Sequence, residues 1–287
     1  MSRAADRFEP VEGRPLVPLP RFRLEDRIVE TLAAGDAATW VVVPAFDEAR
    51  SIARTLAALE AQTLRPMVIC VVDNASTDRT PGVVRAWAAD QTLRGVGLSV
   101  RLAHEPDKGT GAAADTGMRL AVAAGATALL RTDADSLPYP DWAVRMTTRL
   151  ASDAELVAGR VVDRQDEALG VPVRLLLWVL MVVSAAVSVP KNRGVGYRTR
   201  FRMLIGSNVG IRADTYIRAG GFPRSRIDEV HDDRALMNRT RRVTNRIVSD
   251  HHAIVATSAR RYRDYGLRGV IDWYLHHDSR GATVDVR

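Results

Sequence analysis

From residue 39 onward, short apolar runs alternate with segments of helical periodicity, and each apolar run stops at a polar or acidic cluster. "TWVVVPAF" (39–46) is a continuous, valine-rich apolar run, "PMVICVVD" (66–73) reads as a second buried one, and "GLSVRLAH" (97–104) and "ATALLRTD" (126–133) read as a third and a fourth strand. Such runs predict strands covered on both faces. Between them, "ARSIARTLAALEAQ" (49–62), "DRTPGVVRAWAAD" (78–90) and "GAAADTGMRLAVAAG" (111–125) carry apolar residues at helical spacing. Strand–helix alternation at this pace predicts an α/β chain. Its Rossmann-like central sheet is mostly parallel, with right-handed crossovers and helices on both faces.

In such a sheet, ligands sit outside the carboxyl ends of the strands. The run ends are "PAFDE" (44–48), "DNASTD" (73–78), "HEPDKGTG" (104–111) and "DADS" (133–136). One rim should therefore gather Glu48, Asp73, Asp78, Lys108, Asp133 and Asp135. Carboxylates, a lysine and a glycine-rich turn at one rim suit a metal-bound phosphate.

Each cluster also has a plainer reading. In "DADS", extended geometry would turn Asp133 and Asp135 to one side and Ala134 to the other. Two convergent carboxylates suit Mg2+ or Mn2+, whose oxygen ligands are often shared with substrate phosphates. An Asx turn leading into the "PYPDW" helix start explains the same residues. Asp73 is placed to accept from a nucleobase N–H, while Ser76, Thr77 and Asp78 serve as helix caps. "DKGTGAAADTG" fits close approach to a phosphate, and equally close packing of helix on sheet. It is not a P-loop. Asp232 and Asp233 begin a helix over 228–240, where acids complement the helix dipole. Neighbours on a helix point about 100° apart, so only one of them can address a given atom.

The second half is less regular. "ELVAGRVV" predicts a strand. "GSNVGIRADTYIRAGGFP" (206–223) predicts a strand, a helix and a glycine turn; "HHAIVATSARR" predicts a late strand and "LRGVIDWYLHH" a final helix. "LEDRIVETLAA" (24–34) predicts a short helix after a proline-rich arm. The organisation expected is an arm and helix over 1–37, a half over 38–136 that carries the acidic rim, a second half over 137–260 and a helical segment over 261–287.

A net charge of +7 suits an anionic partner. The arginines are scattered and lack the aromatic platform of a nucleic-acid binder, so no nucleic acid is expected. The single cysteine, Cys70, rules out an internal disulfide and any zinc site needing two cysteines. The N-terminus lacks a signal-peptide core, so the expected location is cytoplasmic. "LLLWVLMVVSAAVSV" (175–189) is shorter than the roughly 20 apolar residues of a membrane span. It suits a buried helix, a homodimer surface or an interfacial helix at the inner face of the membrane.

Taken together, "VVVPAFDE", "VVDNASTD", "KGTGAAADTGM", "TDADS", "GSNVGIRADTYIRAGGF" and "DDRAL" resemble, in order and spacing, the family 2 glycosyltransferases of GT-A fold. The resemblance covers about residues 39–240. It implies transfer of one sugar from a nucleoside diphosphate sugar to a carbohydrate or lipid-linked acceptor, with inversion and a divalent cation (Mg2+ or Mn2+). Pro44, Phe46 and Glu48 would line the nucleoside pocket, with Lys108 on the same rim, and Asp73 would bind the base. Asp133 would stand near the ribose and metal, and Asp135 would be the direct metal ligand. Asp233 aligns with the general base, and Asp232 stands where a glutamate is usual. Asn74 and Asp47 depart from the commonest pattern at positions expected to be tolerant. Processive synthases of the family carry Q-x-x-R-W and several spanning helices; both are missing here. Arg193, Arg198, Arg200 and Arg202 suit a lipid-linked or anionic acceptor.

Two other classes compete. A sugar nucleotidyltransferase would carry G-x-G-T-R after its first strand, where this chain has "PAFDEARS". A non-catalytic nucleotide-binding or membrane-surface module would not need Asp133, Asp135 and Asp233 together.

Overall fold

The computed structural model describes residues 24, 27–33, 35, 37–94, 98–164, 166, 196–224 and 232–258. The expected arm, the 175–189 run, Arg193, His231 and the final helix lie outside them. The strands are β1 (Val29–Ala33), β2 (Thr39–Ala45), β3 (Met67–Asp73), β4 (Leu98–His104), β5 (Ala128–Arg131), β6 (Leu137–Pro138), β7 (Leu156–Asp163), β8 (Val209–Arg212) and β9 (Ile247–Thr257). The helices are α1 (Ile52–Glu60), α2 (Thr80–Arg94), α3 (Thr110–Ala123), α4 (Trp142–Ser152), α5 (Ala213–Ala219) and α6 (Asp232–Val243).

All nine strands join one sheet in the order β1-β4-β3-β2-β5-β8-β7-β9-β6. The block β4-β3-β2-β5 is parallel, as the strand–helix alternation predicts. β8 then runs antiparallel to β5 and β7, and β7 is parallel to β9. The period-2 geometry of β2 and β3 splits the core in two. Val41, Val43, Ile69 and Val71 face α1 and α4 through Ile52, Leu56, Trp142 and Met146. Trp40, Val42, Cys70 and Val72 face α3, α5 and α6 through Ala114, Met118, Tyr216 and Leu236. Helices thus cover both faces. Gly117 lets α3 settle on Val42 and Val72, where a Cβ has no room.

The helix expected over 24–34 is instead the edge strand β1. It pairs antiparallel with β4, from Val29 opposite Ala103 to Ala33 opposite Val100. A helix of about three turns is marginal on its own, whereas the open edge of β4 supplies a ready ladder. Arg85 of α2 reaches over this edge to Glu30 at 2.6 Å. Among the described residues, no helix is long and apolar enough to cross a membrane.

Candidate functional site

Parallel pairing brings the carboxyl ends level. Ala45 is opposite Asp73, and Asp73 is opposite His104. Asn74 fastens the loops that leave these ends. Its N–H donates to Ala45 O at 2.8 Å. Its side-chain amide donates to Glu105 O at 2.9 Å and Asp107 O at 2.8 Å, and its Oδ1 accepts from Gly109 N–H at 2.8 Å. The residue is buried, and an aspartate there has no N–H to give. The tolerance expected at Asn74 is therefore wrong: the amide is a working donor.

Asp47 is equally committed. Its φ of 52° is left-handed, and its carboxylate accepts from Thr77 N–H, Thr77 Oγ1 and Asp78 N–H. In return, Ser76 Oγ accepts from Asp47 N–H, Thr80 Oγ1 from Glu48 N–H and Asp78 Oδ2 from Ala49 N–H. Asp78 also accepts from Thr80 N–H at 2.8 Å. It acts as a cap of α2, the plainer of its two readings.

On this side of the rim, Pro44 lies in β2 beside Val72. Glu48 is buried and its carbonyl starts α1. Phe46 is half-buried, and the Lys108 ammonium sits 4.7 Å from its ring centroid. Asp73 is buried; its Oδ1 accepts from Ser76 N–H at 3.3 Å, and its Oδ2 lies 3.2 Å from His104 Nδ1. Phe46, Lys108, Asp73 and the unforeseen His104 thus stand at the carboxyl ends of β2, β3 and β4 or in the loops that leave them.

The acids form the second part. β5 ends at Arg131, so the D-x-D pair occupies the following turn and not an extended strand. The alternation survives: Ala134 and Ser136 are buried while Asp133 and Asp135 are half-exposed. Ser136 Oγ donates to Asp135 Oδ1 at 3.3 Å, and Arg164 donates to the Asp135 carbonyl at 3.2 Å. Arg131 is only 2 % exposed. It donates to Asp232 Oδ2 at 2.7 Å and to Asp133 Oδ1 at 3.4 Å. Its guanidinium lies 4.8 Å from the Phe222 ring centroid. It also occupies the space that a Cβ on Gly206 would need, 2.9 Å from Nη2. Asp133 and Asp232, distant in sequence, thus meet on one cation, with Asp233 next to them at the head of α6.

Asp233 is pushed up to about 7, first by burial and then by the neighbouring Asp232 charge; Arg131 and Arg234 oppose the shift. A carboxylate buried next to another negative charge ionises less readily, because like charges close together repel. Near α3, a Cβ on Gly111 would run into Pro223 O and would stand 3.2 Å from Asp232 Cβ. The glycine-rich turn therefore lets the start of α3 lie against the acid pair. Gly109 (φ 147°) opens that helix with no side-chain cap.

Behind the rim, Glu105 is fully buried between Arg27 at 3.0 Å and Arg224 at 2.7 Å. Arg224 also donates to Thr116 Oγ1 and Ala112 O. It ties the 105–107 loop and α3 to the chain that runs toward Asp232. Asn208 is buried too: its Oδ1 accepts from Trp142 Nε1, and its amide donates to Arg160 O and Ala253 O. Neither role was foreseen. The lone asparagine in "GSNVG" is a local signal for Asn208, and an arginine closing an apolar run, as in "ALLR", is one for Arg131; nothing local marks Glu105 or Arg224.

Among the described residues, no group of three or more His, Cys, Asp or Glu side chains converges to cage a metal. Asp133 and Asp135 instead offer two half-exposed carboxylates from one turn. Such a donor set fits Mg2+ or Mn2+ held partly by substrate phosphates.

The glycosyl transferase family 2 model matches residues 40–209. Among solved structures, a mannosyltransferase, PcManGT from Pyrobaculum calidifontis, in complex with GDP-Man and Mn2+, shares 25% identity at a TM-score of 0.53. That likeness covers 76% of this chain and 56% of the other. S. aureus TarS 1-349 in complex with UDP-GlcNAc matches at 14% identity and a TM-score of 0.54, over 77% of this chain and 58% of that one. Another TarS structure matches at 15% identity and 0.53, over 84% and 40%. The chain therefore spans about half the length of these proteins, and the TarS likeness shows the fold alone. No curated protein gives a significant match.

Proposed function

Because the chain belongs to glycosyl transferase family 2, we propose that it moves a single sugar from a nucleoside diphosphate sugar to an acceptor hydroxyl, with inversion at the anomeric carbon. The observation that carries this reading is the meeting of Asp133 and Asp232 on Arg131, with Asp233 alongside. A donor-side turn and an acid pair suited to proton removal then share one arginine, and this chemistry needs the two side by side.

In this reading, the group of Phe46, Asp73, His104 and Lys108 takes the nucleoside. Pro44 and Glu48 support it through β2 and α1. The diphosphate lies between Asp133–Asp135 and the uncapped start of α3, whose N–H groups favour an anion. Asp135, with Asp133, would hold a divalent cation, which neutralises charge on the departing diphosphate.

Asp233 accepts the proton of the acceptor hydroxyl. The oxygen attacks the anomeric carbon as the bond to the diphosphate breaks on the opposite face. A base near neutrality suits the task, because it is both ionised and basic enough at working pH. Asp232, held by Arg131, contacts donor or acceptor from a shorter stem than the usual glutamate.

The acceptor side is served by Arg198, Arg200 and Arg202. They are exposed, while Tyr197 and Phe201 turn inward against Arg241 at 4.0 and 5.6 Å. This stripe suits an anionic or lipid-linked acceptor at a membrane surface.

The test is nucleoside diphosphate release from GDP-Man, UDP-GlcNAc and UDP-glucose, with Mn2+ or Mg2+ present or chelated. At least one donor should turn over. Asp233→Asn should lower the rate about 100-fold or more, the loss typical of removing acid–base help, and Asp135→Ala should lower it and remove the gain from added Mn2+ or Mg2+. An Asp233→Asn protein with the wild-type rate would refute the assignment of the base.

A further inference from the structure

Arg131 is an unusual residue with which to end an apolar strand. The three residues before it, Ala128, Leu129 and Leu130, are core, and Arg131 itself is 2 % exposed. Two of its nitrogens bind carboxylates from different parts of the chain: Asp133 in the donor turn and Asp232 at the head of α6. Phe222 and Gly206 both lie against the guanidinium. Its Nε is buried with no hydrogen-bond partner.

Stability alone does not account for this. A buried ion pair is on balance no more stabilising than apolar residues of the same volume, and an unpartnered buried N–H adds to the cost. What the arrangement does provide is geometry. A planar guanidinium fixes two carboxylates at set positions, which a flexible ammonium does not.

We propose that Arg131 is a positioning residue for sugar transfer: it ties the donor turn at Asp133 to the head of α6 at Asp232, and so fixes where Asp233 stands relative to the donor. The proposal rests on the reading of Asp233 as the base. Among the described residues, the charged groups that face Asp233 are Asp232 and Arg234 from its own helix and Arg131 from β5. Arg131 opposes protonation of Asp233 while Asp232 promotes it. The link therefore has an electrostatic signature that mere packing lacks.

The experiment compares Arg131→Lys, Arg131→Gln, Asp232→Asn and Asp233→Asn with wild type. For each, the melting temperature, donor KM and kcat across pH 5–9 are measured on the same donor. Arg131→Lys keeps the charge and loses the fork. It should fold, with kcat down about 100-fold, the scale of a misplaced catalytic group, donor KM little changed and the acid limb of the profile in place. Arg131→Gln should lose as much and, in addition, move the acid limb to higher pH.

Wild-type kcat in Arg131→Lys overturns the proposal. So does an Arg131→Gln profile that is lowered equally at every pH. If Arg131→Gln does not fold, Asp232→Asn breaks the link from the other end. There the acid limb should move to lower pH and kcat should fall; an unchanged profile overturns the proposal as well. Asp233→Asn separates the two claims. If it is active, the base assignment fails; if it is inactive while the Arg131 variants behave as wild type, only the positioning role fails.

Discussion

Asn74→Asp changes one atom group and leaves the shape of the side chain intact. In the wild type, the Asn74 amide donates to Glu105 O and Asp107 O from a buried position. The aspartate loses both donations and sets a carboxylate oxygen against two carbonyl oxygens. Two hydrogen bonds at about 1 kcal/mol each, plus a further 1 kcal/mol or so for the unpaired buried carbonyls, amount to about 3 kcal/mol. At about 2–4 °C per kcal/mol for a domain of this size, the melting temperature should fall by roughly 6–12 °C. The deficit should depend on pH. Burial beside carbonyl oxygens raises the folded-state pKa of the new carboxyl above its unfolded value. The folded variant then binds the extra proton, so the deficit is smallest at low pH and grows as pH rises through the folded pKa. Circular-dichroism melts of both proteins at pH 5 and pH 8 measure this. Equal melting temperatures at both pH values would refute the donor role assigned to Asn74.

The raised pKa of Asp233 makes two further claims. kcat should fall as pH drops below about 7, where the base takes up its proton. Because its folded pKa exceeds its unfolded one, Asp233 costs stability as pH rises through that window, so Asp233→Asn should raise the melting temperature at pH 8 more than at pH 5. Gly111→Ala would press a methyl group into Pro223 O beside Asp232. It should cost about 1–3 kcal/mol in denaturant melts and lower kcat, and a neutral result would show that the start of α3 is not packed on the acid pair. The Cys70 thiol is pushed up to about 12 by burial. Iodoacetamide at pH 8 should therefore modify it only in denaturant, as mass spectrometry would report.

The parallel block was legible in the sequence because β2 and β3 are covered on both faces, which leaves unbroken apolar runs, and because helical segments alternate with the strands up to β5. β1 was not. It is an edge strand with Glu30 paired to α2, and its mixed composition reads as a helix until the open edge of β4 is known. Asp133 and Asp135 stand on the expected rim, but the alternation that separates them from Ala134 belongs to a turn. Arg131 escaped notice because a strand-end arginine is ordinarily solvated. Its main partner, Asp232, lies 101 residues further on, and no local period carries that information. The commitments of Asn74 and Asp47 were hidden for the same reason: their partners are carbonyls and amides of other loops, which no residue type announces.

The loops after β2 and β3 exchange donors and acceptors in both directions, through Asp47, Ser76, Asp78 and Thr80. Neither can drift in sequence alone, since a change in one orphans a group in the other. Selection would then act on the two as a single inherited unit, and paired substitutions should mark descent here. Anyone redesigning donor choice by transplanting a segment from a relative would have to move both loops together.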